Sequence, residues 1–118
     1  MSSVARSILT AASACAAALL LSQTAYGFDA DAAMAMAKRS GCFKCHAIDK
    51  DKDGPAYQKV AQKYKDNPEA EQKLFDHLTI EKVVKMPDGT EDTHKTLRTK
   101  DLDAIKNLVQ WLLAQEHV

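Results

Sequence analysis

The sequence predicts an all-α domain of about four helices, and three observations carry that prediction. Apolar side chains recur in several segments at intervals of three and four residues, the period of a helix with one buried face. Nothing in the chain reads as a parallel sheet. Between the first two helical segments, Cys42, Phe43, Lys44, Cys45 and His46 spell C-x-x-C-H, the attachment signature of a c-type haem, which gives the helices something to wrap around.

The spacing of that motif follows from its chemistry. Two cysteines three positions apart, on a tight turn leaving a helix, place both sulfurs along one edge of a porphyrin, where they can form thioethers with its vinyl groups. His46 then lies beneath the ring and offers an imidazole nitrogen to the iron. Two other uses of a C-x-x-C pair fit less well. A thioredoxin-type dithiol belongs between a strand and a helix in a βαβ setting. A zinc site needs further ligands at finger or ribbon spacing, and the chain has only one more cysteine, Cys15, in the leader considered next.

Met1 to Gly27 reads as a secretory signal peptide: Arg6, an apolar run from Ile8 to Leu21, and small residues Ala25 and Gly27 flanking Tyr26. Cleavage after Gly27 starts the mature chain at Phe28, so residues 1–27 are the leader and 28–118 the domain. The run is short for a membrane span. Cys15 follows Ala12, Ser13 and Ala14, but the apolar run continues to Leu21, which argues against lipid attachment at that cysteine.

The mature chain has 91 residues, enough for one small domain. Its 15 basic and 16 acidic side chains nearly cancel, which gives no support for nucleic-acid binding. Both remaining cysteines sit in the motif, so no disulfide is left to staple so small a core. A covalently held haem, buried over most of its apolar surface, supplies that staple.

The first helix is expected from Asp29 to Ser40, with acids at its start, bases at its end, and Gly41 able to take the left-handed conformation that stops it. Ala33, Met36 and Ala37 form a face small enough for another helix to approach closely, and Met34 and Met36 read as packing residues. After the motif, Asp49, Asp51, Asp53 and Gly54 match the opening of an EF-hand loop. Val60 stands where the bidentate glutamate is needed, so the run reads as a solvated loop. Gly54 and Pro55 introduce a helix from Ala56 to about Lys65 with Tyr57, Val60, Ala61 and Tyr64 on one face. Asn67 and Pro68 cap and start another, with Leu74, Phe75 and Leu78 as its stripe and His77 beside it, at the surface or half-buried. Residues 81–100 are the least regular, with a tight turn at Met86, Pro87, Asp88 and Gly89. The last helix, from about Thr99 to Glu116 with Thr99 as its expected N-cap, carries Leu102, Ile105, Leu108, Val109, Leu112 and Leu113 at helical period. His117, beside the C-terminus, is expected in solvent.

Together, the signal peptide, the helix running into Gly41-Cys42-x-x-Cys45-His46, the Gly54-Pro55 pair, the tyrosine-bearing helix and a last helix containing Trp111 resemble class I bacterial cytochromes c of the small c551/c552 type. The resemblance spans the mature chain, though only C-x-x-C-H is highly specific. It implies the small class I cytochrome c fold with one haem c held by Cys42 and Cys45, and His46 as proximal iron ligand. It also implies that the Pro55 carbonyl accepts the other ring N–H of His46.

The sixth ligand departs from the family's pattern, which is a methionine, often followed by proline, at a set distance before the tryptophan. Met86 has the proline but stands 25 residues before Trp111; His94 stands 17 before it, close to the family's spacing. His94 is therefore the expected ligand and Met86 the alternative, with His77 a more remote one. By the same likeness the protein is a soluble, monomeric periplasmic electron carrier and not an enzyme. It would serve transient redox partner proteins, a donor and an acceptor, that dock near Lys44, without stable membrane insertion. A cytochrome subunit of a larger oxidoreductase and a haem sensor with a displaceable distal ligand are the other readings.

Overall fold

A computed structural model describes residues 27–117. The expected signal peptide, up to residue 26, and the His117 side chain lie outside the described residues. Among the described residues there are four helices, α1 (Ala30–Arg39), α2 (Tyr57–Tyr64), α3 (Ala70–Thr79) and α4 (Leu102–Leu113), with 3₁₀ turns at Cys42–Lys44 and Ala114–His117. The expected all-α fold is observed, with one addition: strands β1 (Lys82–Lys85) and β2 (Glu91–His94) pair as an antiparallel hairpin.

The helix ends follow their capping residues. The Asp29 carboxylate accepts from the Ala32 N–H at 3.0 Å and starts α1, while Lys38 and Arg39 lie in its last turn, where the helix dipole favours positive charge. Gly41, at φ 76°, then turns the chain out of α1 and into the Cys42–Lys44 turn. Asp101, rather than Thr99, caps α4, accepting from the Asp103 and Ala104 N–H groups at 3.1 Å each. Thr99 caps one step earlier, its hydroxyl accepting from the Asp101 N–H at 3.1 Å. Between Asn67 and Ala70 the chain makes a turn before α3, so that helix starts slightly later than Pro68 suggested.

The core is the meeting of α1 and α4 with α2 and α3 around them. Ala33, Met36 and Ala37 are buried, as are Tyr57, Leu74, Leu78, Leu108, Val109, Trp111 and Leu112. The alanines of α1 remove side-chain bulk where α4 packs. Asn107 locks the pair: its Oδ1 accepts from the Asp29 N–H at 2.6 Å, and its Nδ2 donates to the Asp29 carbonyl at 2.9 Å. Met36 is core filler, as its helical spacing implied; Met34 is half-buried against the same cluster.

The hairpin has a clear sequence origin. Val83 and Val84 favour extended backbone, and Asp88-Gly89 closes the turn with Gly89 at φ 87°. Asp88 accepts from both the N–H and the hydroxyl of Thr90, at 2.9 and 2.6 Å. Burial holds α3 and α4 in place, but the hairpin is mostly exposed and is fastened at its base, where the Leu97 N–H donates to the Leu78 carbonyl at 2.8 Å. That bond brings the end of β2 back against α3.

Candidate haem site

The Cys42–Lys44 turn presents the motif. The His46 N–H donates to the Cys42 carbonyl at 2.9 Å, which folds the histidine back under the two cysteines. Cys42 is half-buried and Cys45 exposed, and neither is in a disulfide. Burial pushes the Cys42 thiol above its ordinary pKa, the opposite of the depressed value that marks the attacking cysteine of a redox dithiol. Among the described residues, no group of three or more His, Cys, Asp or Glu side chains is arranged to hold a metal ion on its own.

The loop after the motif is built to hold His46. Its Nδ1 lies 2.7 Å from the Pro55 carbonyl, so that nitrogen donates and Nε2 is left for a metal. The Gly54 N–H donates back to the Cys45 carbonyl at 2.7 Å, and the Tyr57 N–H to that of Ala47 at 2.9 Å. A β-carbon on Gly54 would come within 2.4 Å of the His46 ring, so the imidazole rests on bare backbone there. On its other neighbours the ring is stacked on Tyr57, with centres 5.2 Å apart and planes 24° apart. Tyr57 in turn meets Phe43 and, edge-on, Trp111, each at 5.8 Å. The aspartate run is structural: Asp51 accepts from the Ala56 N–H at 2.9 Å and pairs with Lys59, which anchors the start of α2.

Opposite His46 stands His94, the last residue of β2, with ring centres 6.2 Å apart and planes inclined by 58°. Two imidazoles bound to opposite sides of one iron need about this separation. Two metal–nitrogen bonds of about 2 Å, plus about 1 Å from each nitrogen to its ring centre, give roughly 6 Å. Nδ1 of His94 is buried without a hydrogen-bond partner, a polar atom that the polypeptide alone leaves unaccounted for. Burial, then the nearby charge of His46, lowers the pKa of His94, while the Lys95 backbone pulls the other way; the neutral ring is the form that ligates. On these observations the residues fit a haem between the two histidines.

Met86 lies elsewhere. Lys82 is paired with His94 and Lys85 with Glu91, so Met86 is one residue past the last pair, beside the turn. At about 3.4 Å per residue, that is about 14 Å along the hairpin from the level of His94.

Two residues at the site make contacts that were not anticipated from the sequence. His77 is half-buried, as expected, but its ring also packs against that of His94, with centres 4.1 Å apart. Burial, followed by the charges of His94, Lys82, His46 and Lys63, brings its pKa down to about 4. The other is Gly54, whose lack of a side chain makes room for His46. The Gly54-Pro55 pair was a visible signal for the start of a helix, but not for a ring resting on it. Lys44 is exposed beside the motif, and the Lys52 ammonium donates to the Phe43 carbonyl at 2.7 Å.

A family profile described as Cytochrome c matches residues 30–114. Among solved structures, class 1 cytochrome MtoD from Sideroxydans lithotrophicus ES-1 is similar at 49% identity and a TM-score of 0.73, over 75% of this chain and 98% of that one. Wild-type cytochrome c552 from Nitrosomonas europaea is similar at 25% identity and a TM-score of 0.55, over 74% of this chain and 99% of its own. The N64Del mutant of the same cytochrome gives 25% and 0.58. No curated protein matches significantly. No helix of the described residues is long and apolar enough to cross a membrane. Cytochromes of this kind carry one covalently attached haem c and act as electron carriers. The motif, the four-helix fold and the profile match over 30–114 agree: the chain belongs to the cytochrome c family, in class I.

Proposed function

We propose that this protein is a periplasmic monohaem electron carrier whose axial ligands are His46 and His94. Residues 1–27 are its signal peptide and 28–118 its mature domain, with Cys42 and Cys45 as the thioether attachment points. The 6.2 Å separation of the two imidazoles, on elements fixed independently of each other, is the observation that supports this reading most strongly.

When bound, the haem supplies a ferric/ferrous couple that exchanges one electron. The chain's own residues do the rest. Pro55 holds the Nδ1 proton of His46, which fixes the tautomer and makes Nε2 a better donor. Gly54 and Tyr57 fix the plane of the ring from its surroundings. With an imidazole on each side, no position is left open for substrate, and little rearranges when the electron moves. A second imidazole in place of a thioether also favours the ferric state, so the protein works at a lower potential than a methionine-ligated relative.

Transient donor and acceptor proteins dock beside the motif, over a surface that includes Lys44. The side-chain charges nearly balance, so steering is modest and electron transfer should depend only weakly on salt. The test is a redox titration of the purified holoprotein together with carbon monoxide exposure of its reduced form. A carrier gives a single one-electron transition and resists carbon monoxide. Rapid carbon monoxide binding would overturn the carrier reading in favour of a sensor with a displaceable distal ligand.

A further inference from the structure

The rings of His46 and His94 are not parallel: their planes are inclined by 58°. In the proposed site both rings bind one iron, so each plane contains the nitrogen–iron–nitrogen axis. The 58° is then the angle at which the two rings cross over the haem. Separate neighbours hold each ring. His46 is bonded to the Pro55 carbonyl, rests on bare backbone at Gly54 and is stacked on Tyr57. Nδ1 of His94 has no hydrogen-bond partner, and the ring lies against that of His77, with centres 4.1 Å apart and planes tilted by 46°. That separation is too short for an in-line N–H···N bond and lies below the about 4.5–7 Å common between aromatic ring centres, so the contact is close packing of ring on ring.

We propose that His77 is a positioning residue that works by packing: its imidazole wedges the ring of His94 and keeps the two axial planes crossed. This rests on the reading of His94 as the sixth ligand. The torsion about the Cβ–Cγ bond of a histidine is broad, so the strand alone leaves the plane of His94 undetermined. The wedge is itself held in place. His77 is half-buried in the last turn of α3 beside buried Leu78, and the Leu97–Leu78 bond pins the base of the hairpin against that same turn.

The crossing angle has an electronic consequence. An imidazole donates π density perpendicular to its own plane, so parallel rings raise the same iron dπ orbital, whereas crossed rings raise both. The splitting falls with the cosine of the angle, and at 58° about half of the parallel value is left. The unpaired electron of the ferric state is then shared between two directions of the haem plane instead of being confined to one, and packing at residue 77 sets how evenly.

The test is the ferric paramagnetic resonance of the holoprotein as wild type, as His77→Ala, which removes the wedge, and as His77→Phe, which keeps a flat ring without a nitrogen. Wild type should show a largest g value beyond that of haems with parallel imidazoles. In His77→Ala that resonance should broaden or move, and His77→Phe should restore it. In the reduced, diamagnetic wild type, ring protons of His77 and His94 should show a nuclear Overhauser contact, a reading that needs no variant. The rhombic spectrum of parallel rings in wild type overturns the crossing. A missing Overhauser contact, a resonance unchanged in His77→Ala, or no restoration by His77→Phe overturns the role of His77. A methionine-to-iron charge-transfer band in the oxidised wild type overturns the ligand reading itself, and so is told apart from a failure of this proposal alone.

Discussion

The ring centres of His46 and His94 lie 6.2 Å apart, although the two residues are 48 positions apart in the chain. Separate pieces of the fold hold the two. A glycine and a proline carbonyl seat His46, and the base of a hairpin pinned to α3 carries His94.

Gly54→Ala should be far more damaging than an exposed loop substitution. The new methyl would stand 2.4 Å from the His46 ring, which its bond to the Pro55 carbonyl and its stacking on Tyr57 keep from moving aside cheaply. The expected result is a haem displaced from its proximal ligand, with overpacking costing about 1–3 kcal/mol. The absorption spectrum and the melting temperature of the purified variant check this; a normal low-spin spectrum and an unchanged melt would contradict it.

Trp111→Ala removes the side chain that joins Tyr57, and through it His46, to α4. Trp111 is 4% exposed, and its ring meets Tyr57 edge-on. A loss of about 3–5 kcal/mol is expected, read from urea or guanidinium unfolding monitored by far-ultraviolet circular dichroism.

Asn107→Ala breaks both bonds to the backbone of Asp29 while leaving the apolar α1–α4 contact in place. These bonds are exposed, so water replaces them in part, and the cost should be about 1–2 kcal/mol. Hydrogen exchange should quicken at the start of α1 and remain slow in the centre of α4.

Acid should loosen the loop that supports the site. The hydrogen bond from Lys59, then that from the Ala56 backbone, holds the Asp51 carboxyl below its ordinary value of 3.8. The folded state therefore binds this proton less readily than the unfolded chain does. Stability from Asp51 is fully present above about pH 3.8 and is lost as pH falls through the lower folded value. Melting curves between pH 5 and pH 2.5, taken as an experimental range spanning these values, should show a shallower acid decline for Asp51→Asn than for wild type.

How much of this was legible in the sequence differs from element to element. The helices and their core faces could be read because the causes are local: acids at the start of α1, Gly41 as a stop, and Ala33, Met36 and Ala37 as one face. C-x-x-C-H gave the attachment chemistry for the same reason. The hairpin at Lys82–His94 was read only as a turn around Asp88-Gly89, since its strands span four residues each and bury little, leaving a weak alternating pattern. The contact between His77 and His94 depends on the Leu97–Leu78 bond, a tertiary feature with no local signature. Gly54 is similar: a glycine before proline announces the helix that follows, but that an imidazole rests on it is a fact of packing.

The central claim is that His94, not Met86, completes the coordination of the iron. The most direct measurement is the oxidised absorption spectrum and ferric paramagnetic resonance of wild type, His94→Ala and Met86→Ala. The account predicts no methionine-to-iron charge-transfer band in wild type, a low-spin signal lost or altered in His94→Ala, and one unchanged in Met86→Ala. A wild-type band that disappears only in Met86→Ala would contradict it.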